Sequence, residues 1–473
     1  MKTFSLALRN VLRSRRRTLI TLGAIGVAAA AIVVLAGYVS ATIQGLQTMT
    51  VRSTGHLHVM VEGWLDFGRA APSQYALRDA DDVQRLLEED EALRPMLRVL
   101  SPMLQVQGVA GYFETGNSST FVAAGWLPGP RQRMLDWDGL GTGHPPMAAN
   151  LDPARPDAGT IGVGLAQLLG MCDALKISDC AARPTDTADA DAPAIGQDLA
   201  ELGQQARTLA RSEQQRPSTD EVAIELMAAS SGGAPNIVRM PIRQAQRLGQ
   251  RELDMMYVGM PLPLAQRLVF GPDGKDVSAL VLQLHRTEQL PAAQARVHTL
   301  LQQRYQTQGG QKLQVRNFMD VQPAYGQIVA MFNTLLGFVA LLMLVVTLFS
   351  VANTVNMAVS ERVHEIGTLR AMGLTRGDIL RLFLAEGGLL GLLGGSLGVL
   401  SAMALSVWGI NRAGLSWTPP GSTTPVPIQI DIAGNLALCA AIVGLMALIA
   451  CLSSWWPARR ASHQQIVEAL RHV

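Results

Sequence analysis

Apolar and polar positions divide the chain into four apolar runs of membrane length and the polar stretches that flank them. The runs are 18–43, 328–359, 382–410 and 432–456, each at or above the ~20 residues that cross a bilayer as a helix. Between the first and second runs, 44–327 contains no such run and reads as a globular region, large enough for a domain with subdomains. Its shorter patterns alternate between the two periods of regular structure. Gly55 to Val61 alternates like a strand, with Leu57, Val59 and Val61 on one face. Asp79 to Arg94 predicts a helix with Val83, Leu86 and Leu87 on its apolar side, stopped by Pro95. Further strands are predicted at 105–109, 120–124, 221–227 and 277–283, and helices at 261–269 and 291–305. Ile161 to Gly170 reads as a strand turning into a helix that closes on Gly170. Interleaved strands and helices make this a mixed α/β domain. Within it, 181–220 is rich in Ala, Asp, Gln and Pro and reads as a low-complexity, partly disordered insertion, with Leu199, Leu202, Ala206 and Leu209 at helical spacing. The fold class expected is therefore a membrane protein, with four transmembrane α-helices and a large α/β domain between helices 1 and 2.

The link between the second and third runs, Ser360 to Arg381, is a charged island. Two spanning helices joined so briefly form a hairpin, so the link lies at one membrane face. Val363, Ile366 and Leu369 give it the narrow apolar face of a short amphipathic helix. Glu361 and Glu365 stand one turn apart, Gly367 is expected to interrupt the helix and Gly373 to end it. Such a helix suits docking to a partner protein, and a solvated hairpin loop accounts for the same pattern. In the third run Gly387, Gly391 and Gly395 recur at every fourth residue, a stripe that lets another helix approach closely, in the same chain or in a second copy. Glu386 sits one turn inside that run, near enough to water that no role is assigned to it.

Composition changes this picture little. Hydrophobic residues make up 48% and charged residues 16%, with a mean hydropathy of +0.20, too apolar for an ordinary soluble protein. Thirty-nine basic residues against 37 acidic ones give a net charge of +2, which implies no nucleic-acid partner. Placement is more informative. Lys2, Arg9, Arg13, Arg15, Arg16 and Arg17 precede the first run without an acidic residue among them. That run exceeds the 7–15 residues of a signal-peptide core, so a retained helix is expected rather than a cleaved leader. Basic residues also cluster in 360–381 and 457–473, while 411–431 holds only Arg412. The charge rule then puts 1–17, 360–381 and 457–473 in the cytoplasm and 44–327 and 411–431 outside. Trp408, Trp417, Trp455 and Trp456 fall near run ends, where aromatic rings favour the interface.

Candidate chemistry is sparse. Cys439 and Cys451 lie in the fourth run as small hydrophobes. Cys172 and Cys180 lie in the polar domain, where a disulfide and two free thiols both stay open. No metal-ligand spacing and no catalytic constellation is found. Gly271-Pro-Asp-Gly-Lys-Asp276 lacks the first Gly and the Ser or Thr of a phosphate loop and reads as a turn. No other Walker-type loop occurs, so ATP and magnesium, if used, are expected on another polypeptide.

At these residues the sequence resembles the permease subunits of FtsX/MacB/LolC-type ABC transporters. Leu8-Arg-Asn-Val-Leu-Arg-Ser-Arg-Arg-Arg-Thr-Leu-Ile-Thr-Leu22 is similar to that family's opening segment. Glu361-Arg-x-x-Glu365-Ile-Gly-x-x-Arg370-Ala-x-Gly373 is similar to its cytoplasmic loop, and Pro457-Ala-Arg-Arg-Ala461 with Val467-Glu-Ala-Leu-Arg471 to its C-terminal signature. More loosely, Gly55-His-Leu-His-Val59 resembles the lipoprotein-releasing branch. The resemblance implies a bacterial inner-membrane protein whose Glu361, Arg362, Glu365, Ile366, Gly367, Arg370 and Gly373 couple to a separate ABC ATPase. It further implies a second permease chain, identical or not, and a periplasmic adaptor or lipoprotein as partner beside membrane lipid. The function implied is extraction or export of a hydrophobic or envelope-associated substrate. The alternative is mechanical signalling to a cell-wall enzyme without transport; a membrane-anchored enzyme would need an active site that the sequence does not offer.

Overall fold

The structure is a computed structural model, and it describes residues 9, 13, 15–143, 145, 147–178, 180, 221–230, 235–306, 311–418 and 425–463. The 181–220 insertion and the Val467–Arg471 signature lie outside them. The chain divides into two compact units, one of Met1–Gln47, Pro323–Trp417 and Val426–Val473, the other of Thr48–Gln322 and Thr418–Pro425.

Helix α1 (Arg15–Thr54) belongs to both units. At 40 residues it is about 60 Å long, roughly twice the hydrocarbon thickness of a bilayer. The apolar run marks only its first part. Nothing in 44–54 stops the helix until Gly55, whose φ of 78° is the left-handed conformation that ends helices.

The α/β unit is built from β1 (Leu57–Val61), α2 (Ala80–Glu89), β2 (Leu97–Tyr112), β3 (Asn117–Trp126), α3 (Pro128–Leu135), β4 (Gly159–Gly162), α4 (Val163–Leu169), β5 (Ala223–Ala229), β6 (Pro235–Gln246), β7 (Tyr257–Pro261), α5 (Leu262–Phe270), β8 (Ala279–Leu284), α6 (Leu290–Leu301) and β9 (Leu313–Asn317). The strands run in the order β3-β7-β4-β6-β5-β2-β8-β1-β9, and β3 also pairs with β2. The first six strands of that order therefore close on themselves, and β8, β1 and β9 extend from the long strand β2. Along β5, Ile224, Leu226 and Ala228 are buried while Glu225, Met227 and Ala229 are exposed, the period of two that a half-buried strand requires.

Helix α2 ends at Glu89, short of Pro95. Asp90 leaves the helical conformation (ψ 117°). Its carboxylate accepts from the Leu93 N–H at 2.9 Å and from Arg296 Nη2 at 2.6 Å, and the Arg296 hydrogen bond holds it below the usual carboxylate range. Strands β6 and β7 were not legible because each carries a proline, and prolines count against a strand.

Two histidines lie in the core of this unit. The His56 ring accepts at Nδ1 from the Leu284 N–H (3.0 Å), which leaves Nε2–H to donate to Thr287 Oγ1 (3.1 Å). It meets the Trp137 ring edge-on at 5.2 Å. His58 Nε2–H donates to the Thr54 carbonyl at 2.7 Å. Both rings are neutral, because burial pushes His56 down to about 3 and His58 to about 4.

The helical unit continues with α7 (Pro323–Glu361), α8 (Val363–Ala371), α9 (Arg376–Ala404) and α10 (Leu436–Ser462). Among the described residues four helices, α1, α7, α9 with its extension to Ala413, and α10, are long and apolar enough to cross a membrane. Helix α9 is the inner one. A Cβ on Gly391 would lie 2.6 Å from Ala447 Cα and 2.7 Å from the Met446 carbonyl oxygen; one on Gly387 would run into Ser454 Oγ, and one on Gly395 would lie 3.3 Å from Met446 Cβ. The glycine stripe thus faces α10 of the same chain. A second set faces α1: a Cβ on Gly394 would lie 2.8 Å from Ile25 Cβ, and one on Gly398 2.7 Å from Ala29 Cβ. Helix α1 meets α7 through a Thr21–Thr354 hydroxyl pair at 2.9 Å and an edge contact of the Tyr38 and Phe332 rings.

Two predictions follow from this packing and burial. Gly391→Val, measured by thermal unfolding of the full chain in detergent, destabilises by about 1–3 kcal/mol, the usual cost of forcing atoms into a filled contact. Gly337→Val, at a position with nothing within 4 Å, leaves the midpoint unchanged. Separately, the unfolded chain takes up protons at both histidines near pH 6.5 and the folded chain does not, so stability is full above that pH and falls as pH drops toward about 4. Each unit of depression corresponds to about 1.4 kcal/mol, so urea titrations followed by tryptophan fluorescence should show the loss, and His56→Asn with His58→Asn should flatten it.

Candidate functional site

The link between α7 and α9 is the part of the helical unit where charge, burial and exposed surface meet. Helix α7 ends at Glu361, and the chain turns at Arg362 (φ −113°, ψ 20°) into α8. Ile366 is buried with Ile379, Phe383, Ala458 and Ala461, and Leu369 packs against the same cluster. Gly367 is buried too. It lies inside a continuous helix and does not interrupt it, contrary to the expectation from its weak helix propensity: packing of the apolar face outweighs the roughly 1 kcal/mol that a helical glycine costs. Gly373, with φ 101°, stands beyond the helix end, where only a glycine turns easily. Thr375 then caps α9, its hydroxyl accepting from the Asp378 N–H.

The charges of the link are engaged within the chain. Arg17 of α1 donates to Glu361 at 2.8 Å, and Arg13 to Glu365 at 3.1 Å. Arg362 lies 3.8 Å from Glu386 of α9, with side chains only 12% and 7% exposed. The second oxygen of Glu386, Oε2, is buried without a hydrogen-bond partner among the described residues. Arg13–Glu365 is open to water, where ion pairs contribute about 0–1 kcal/mol. Arg362–Glu386 is sheltered, and there the loss of one partner strands a charge. Of the residues expected to meet a partner, Ile366 and Gly367 are turned into the unit, so their part is to position the helix. Arg362 faces Glu386, and Arg370 is half-buried. The outward surface is formed by Glu361, His364, Glu365, Thr368, Ala371 and Met372, the last 68% exposed.

Sequence reasoning placed Arg13 and Arg17 at the membrane face but did not pair them with the link, since more than 340 positions separate the partners. Glu386 was likewise left without a role. The signal available was a set of arginines without acids at one point of the chain and paired glutamates at another. In the α/β unit Cys172 and Cys180 are joined as a disulfide, with Cα atoms 5.5 Å apart.

Residues 337–466 match the family model described as FtsX-like permease C-terminal. Among curated proteins, the chain is 34% identical over 139 residues to the macrolide export ATP-binding/permease protein MacB of Sodalis glossinidius, covering 29% of this chain and 19% of that protein. It is 30% identical over 241 residues to the MacB of Hyphomonas neptunium, covering 50% and 34%. It is 28% identical over 197 residues to the ABC transporter permease YknZ of Bacillus subtilis, covering 42% and 45%. The chain thus spans less than half the length of these relatives. Helices α8, α9 and α10 and the greater part of α7 fall inside the matched region, so residues 337–466 are similar to the C-terminal domain of FtsX-like permeases, and the chain is similar over part of its length to MacB and YknZ permeases.

Proposed function

We propose that the chain is the permease subunit of an ABC transporter complex. A separate ATPase subunit binds and hydrolyses ATP with magnesium, and the permease converts that cycle into extraction or export of a hydrophobic or envelope-associated substrate such as a lipoprotein. The observation that carries the reading is the link around α8: Glu361 at the end of α7 pairs with Arg17 of α1, Glu365 of α8 pairs with Arg13 just before α1, and Arg362 lies beside Glu386 of α9, with an outward face left over. A push on that face reaches three spanning helices at once. In this reading the link and both chain termini are cytoplasmic, the α/β unit is periplasmic, and the complex holds a second permease chain and an adaptor or lipoprotein partner in the inner membrane.

Glu365→Lys sets like charges beside Arg13 on the docking face, and Met372→Asp places a charge where an apolar anchor stands. Either substitution is expected to weaken pull-down of the ATPase about tenfold or more, a change of ~1.4 kcal/mol or above, and to lower its stimulated turnover in reconstituted membranes, with membrane insertion unaltered. Parent-like binding and turnover in both variants would mean that the link is only a connection. The orientation has its own check. An impermeant maleimide should label Ser118→Cys in whole cells and His463→Cys only after lysis; labelling of both from outside would reverse the assignment.

A further inference from the structure

Among the described residues of the helical unit, Glu386 is the one buried acid. An ionised carboxylate in such a place needs donors on both oxygens, because an oxygen left bare has lost its water without replacement. Glu386 has neither oxygen filled. Arg362 Nη1 stands 3.8 Å from Oε1, beyond hydrogen-bond reach, and Oε2 has no partner among the described residues. Helix α10 brings a hydroxyl to this level of α9, that of Ser454 against Gly387, but Ser454 donates it to the Ala450 carbonyl at 2.7 Å. Buried polar atoms left bare in this way are uncommon and ask for an explanation.

Arg362 has the chemistry to fill both oxygens. A guanidinium presents two parallel N–H groups that match the two oxygens of one carboxylate. The Arg362 backbone stands at the turn between α7 and α8, outside both helices. A closure of about 1 Å would bring its fork to the roughly 2.8 Å of a charge-assisted hydrogen bond. Its neighbours on the outward face, Glu361 and Glu365, are exposed. A partner that seats on them therefore bears directly on the turn that carries Arg362.

We propose that Glu386 is a positioning residue for partner docking: its pair with Arg362 is open in the chain alone and closes as a bidentate pair when the ATPase seats on the outward face of the link. The inference rests on the permease reading above and deepens it, because it assigns to docking a buried residue that does not touch the partner. The closed pair fixes the turn at 361–363, and with it α8, against α9. Glu386 and Arg362 thus depend on one another in the docked chain and act separately in the chain alone.

The test is a double-mutant cycle on the full chain in lipid nanodiscs, with Glu386→Gln, Arg362→Met and the two together. Two quantities are read for each variant: the affinity of the ATPase subunit for the chain, and the thermal midpoint of the chain alone. Each single change weakens the affinity about tenfold, and the double variant is no weaker than either one, as one shared contact requires. In the midpoint of the chain alone the two changes add. Arg362→Lys keeps the charge but loses the fork, so it weakens the affinity too, and it takes the place of Arg362→Met in the cycle if that variant does not fold. Parent-like affinity in Glu386→Gln, or single effects on affinity that simply add, overturns the proposal. So does coupling of equal size in both quantities, which marks a pair already closed in the chain alone and of structural use only. A parent chain that does not bind the ATPase removes the permease reading itself, and this inference with it.

Discussion

Lipid offers helices no hydrophobic reason to associate, so the helical unit depends on how closely backbones can approach. Helix α9 meets that constraint on two sides. Gly387, Gly391 and Gly395 admit α10, and Gly394 and Gly398 admit α1. A helix with glycines on one side only could bind one neighbour closely. With two glycine faces α9 serves as the common partner, and the positions of α1 and α10 are set from it. The link helix inherits this order, since Ile366 belongs to the same buried cluster as Ile379 of α9 and Ala458 of α10.

Where the sequence pattern was strong, the fold was legible. The four apolar runs, the strand at 57–61 and the strand-to-helix turn ending at Gly170 all appear in the structure. Local patterns could not show what distant residues decide. Helix α1 outruns its apolar segment because the α/β unit supplies donors to its end, and those donors come from positions 58, 131 and 283. Strand β6 is held by β5 on one side and β4 on the other, despite Pro241. The site divides in the same way. The link helix and its apolar face could be read from spacing, whereas the partners of Glu361, Glu365 and Arg362 could not, because pairing across the chain leaves no local periodicity.

Buried polar groups mark the places where each unit is most specified. In the α/β unit, His56, His58, Gln283 and Arg52 are buried at 0–2% exposure and find backbone partners. A neutral imidazole held by such bonds fixes one register, since a shift of a single residue would leave it unpaired. Gln283 is only half satisfied: its Nε2 donates to two carbonyls, and its Oε1 is buried without a partner among the described residues. In the helical unit Glu386 is likewise half satisfied, with one oxygen 3.8 Å from Arg362 and the other unpartnered among the described residues.

The cystine has a consequence for how this protein can vary. Cys180 is tied to Cys172, and Glu221 is held by Arg155 at 3.0 and 2.8 Å. These anchors stand on either side of 181–220, and Lys176, Arg155 and Glu221 line one cleft of about 550 Å³. Since doubling the length of a closed loop costs only ~0.6 kcal/mol, the stretch between the anchors can lengthen, shorten or change composition with little effect on β4, α4 or β5. The stretch is a practical place for splicing in an affinity tag or a reporter.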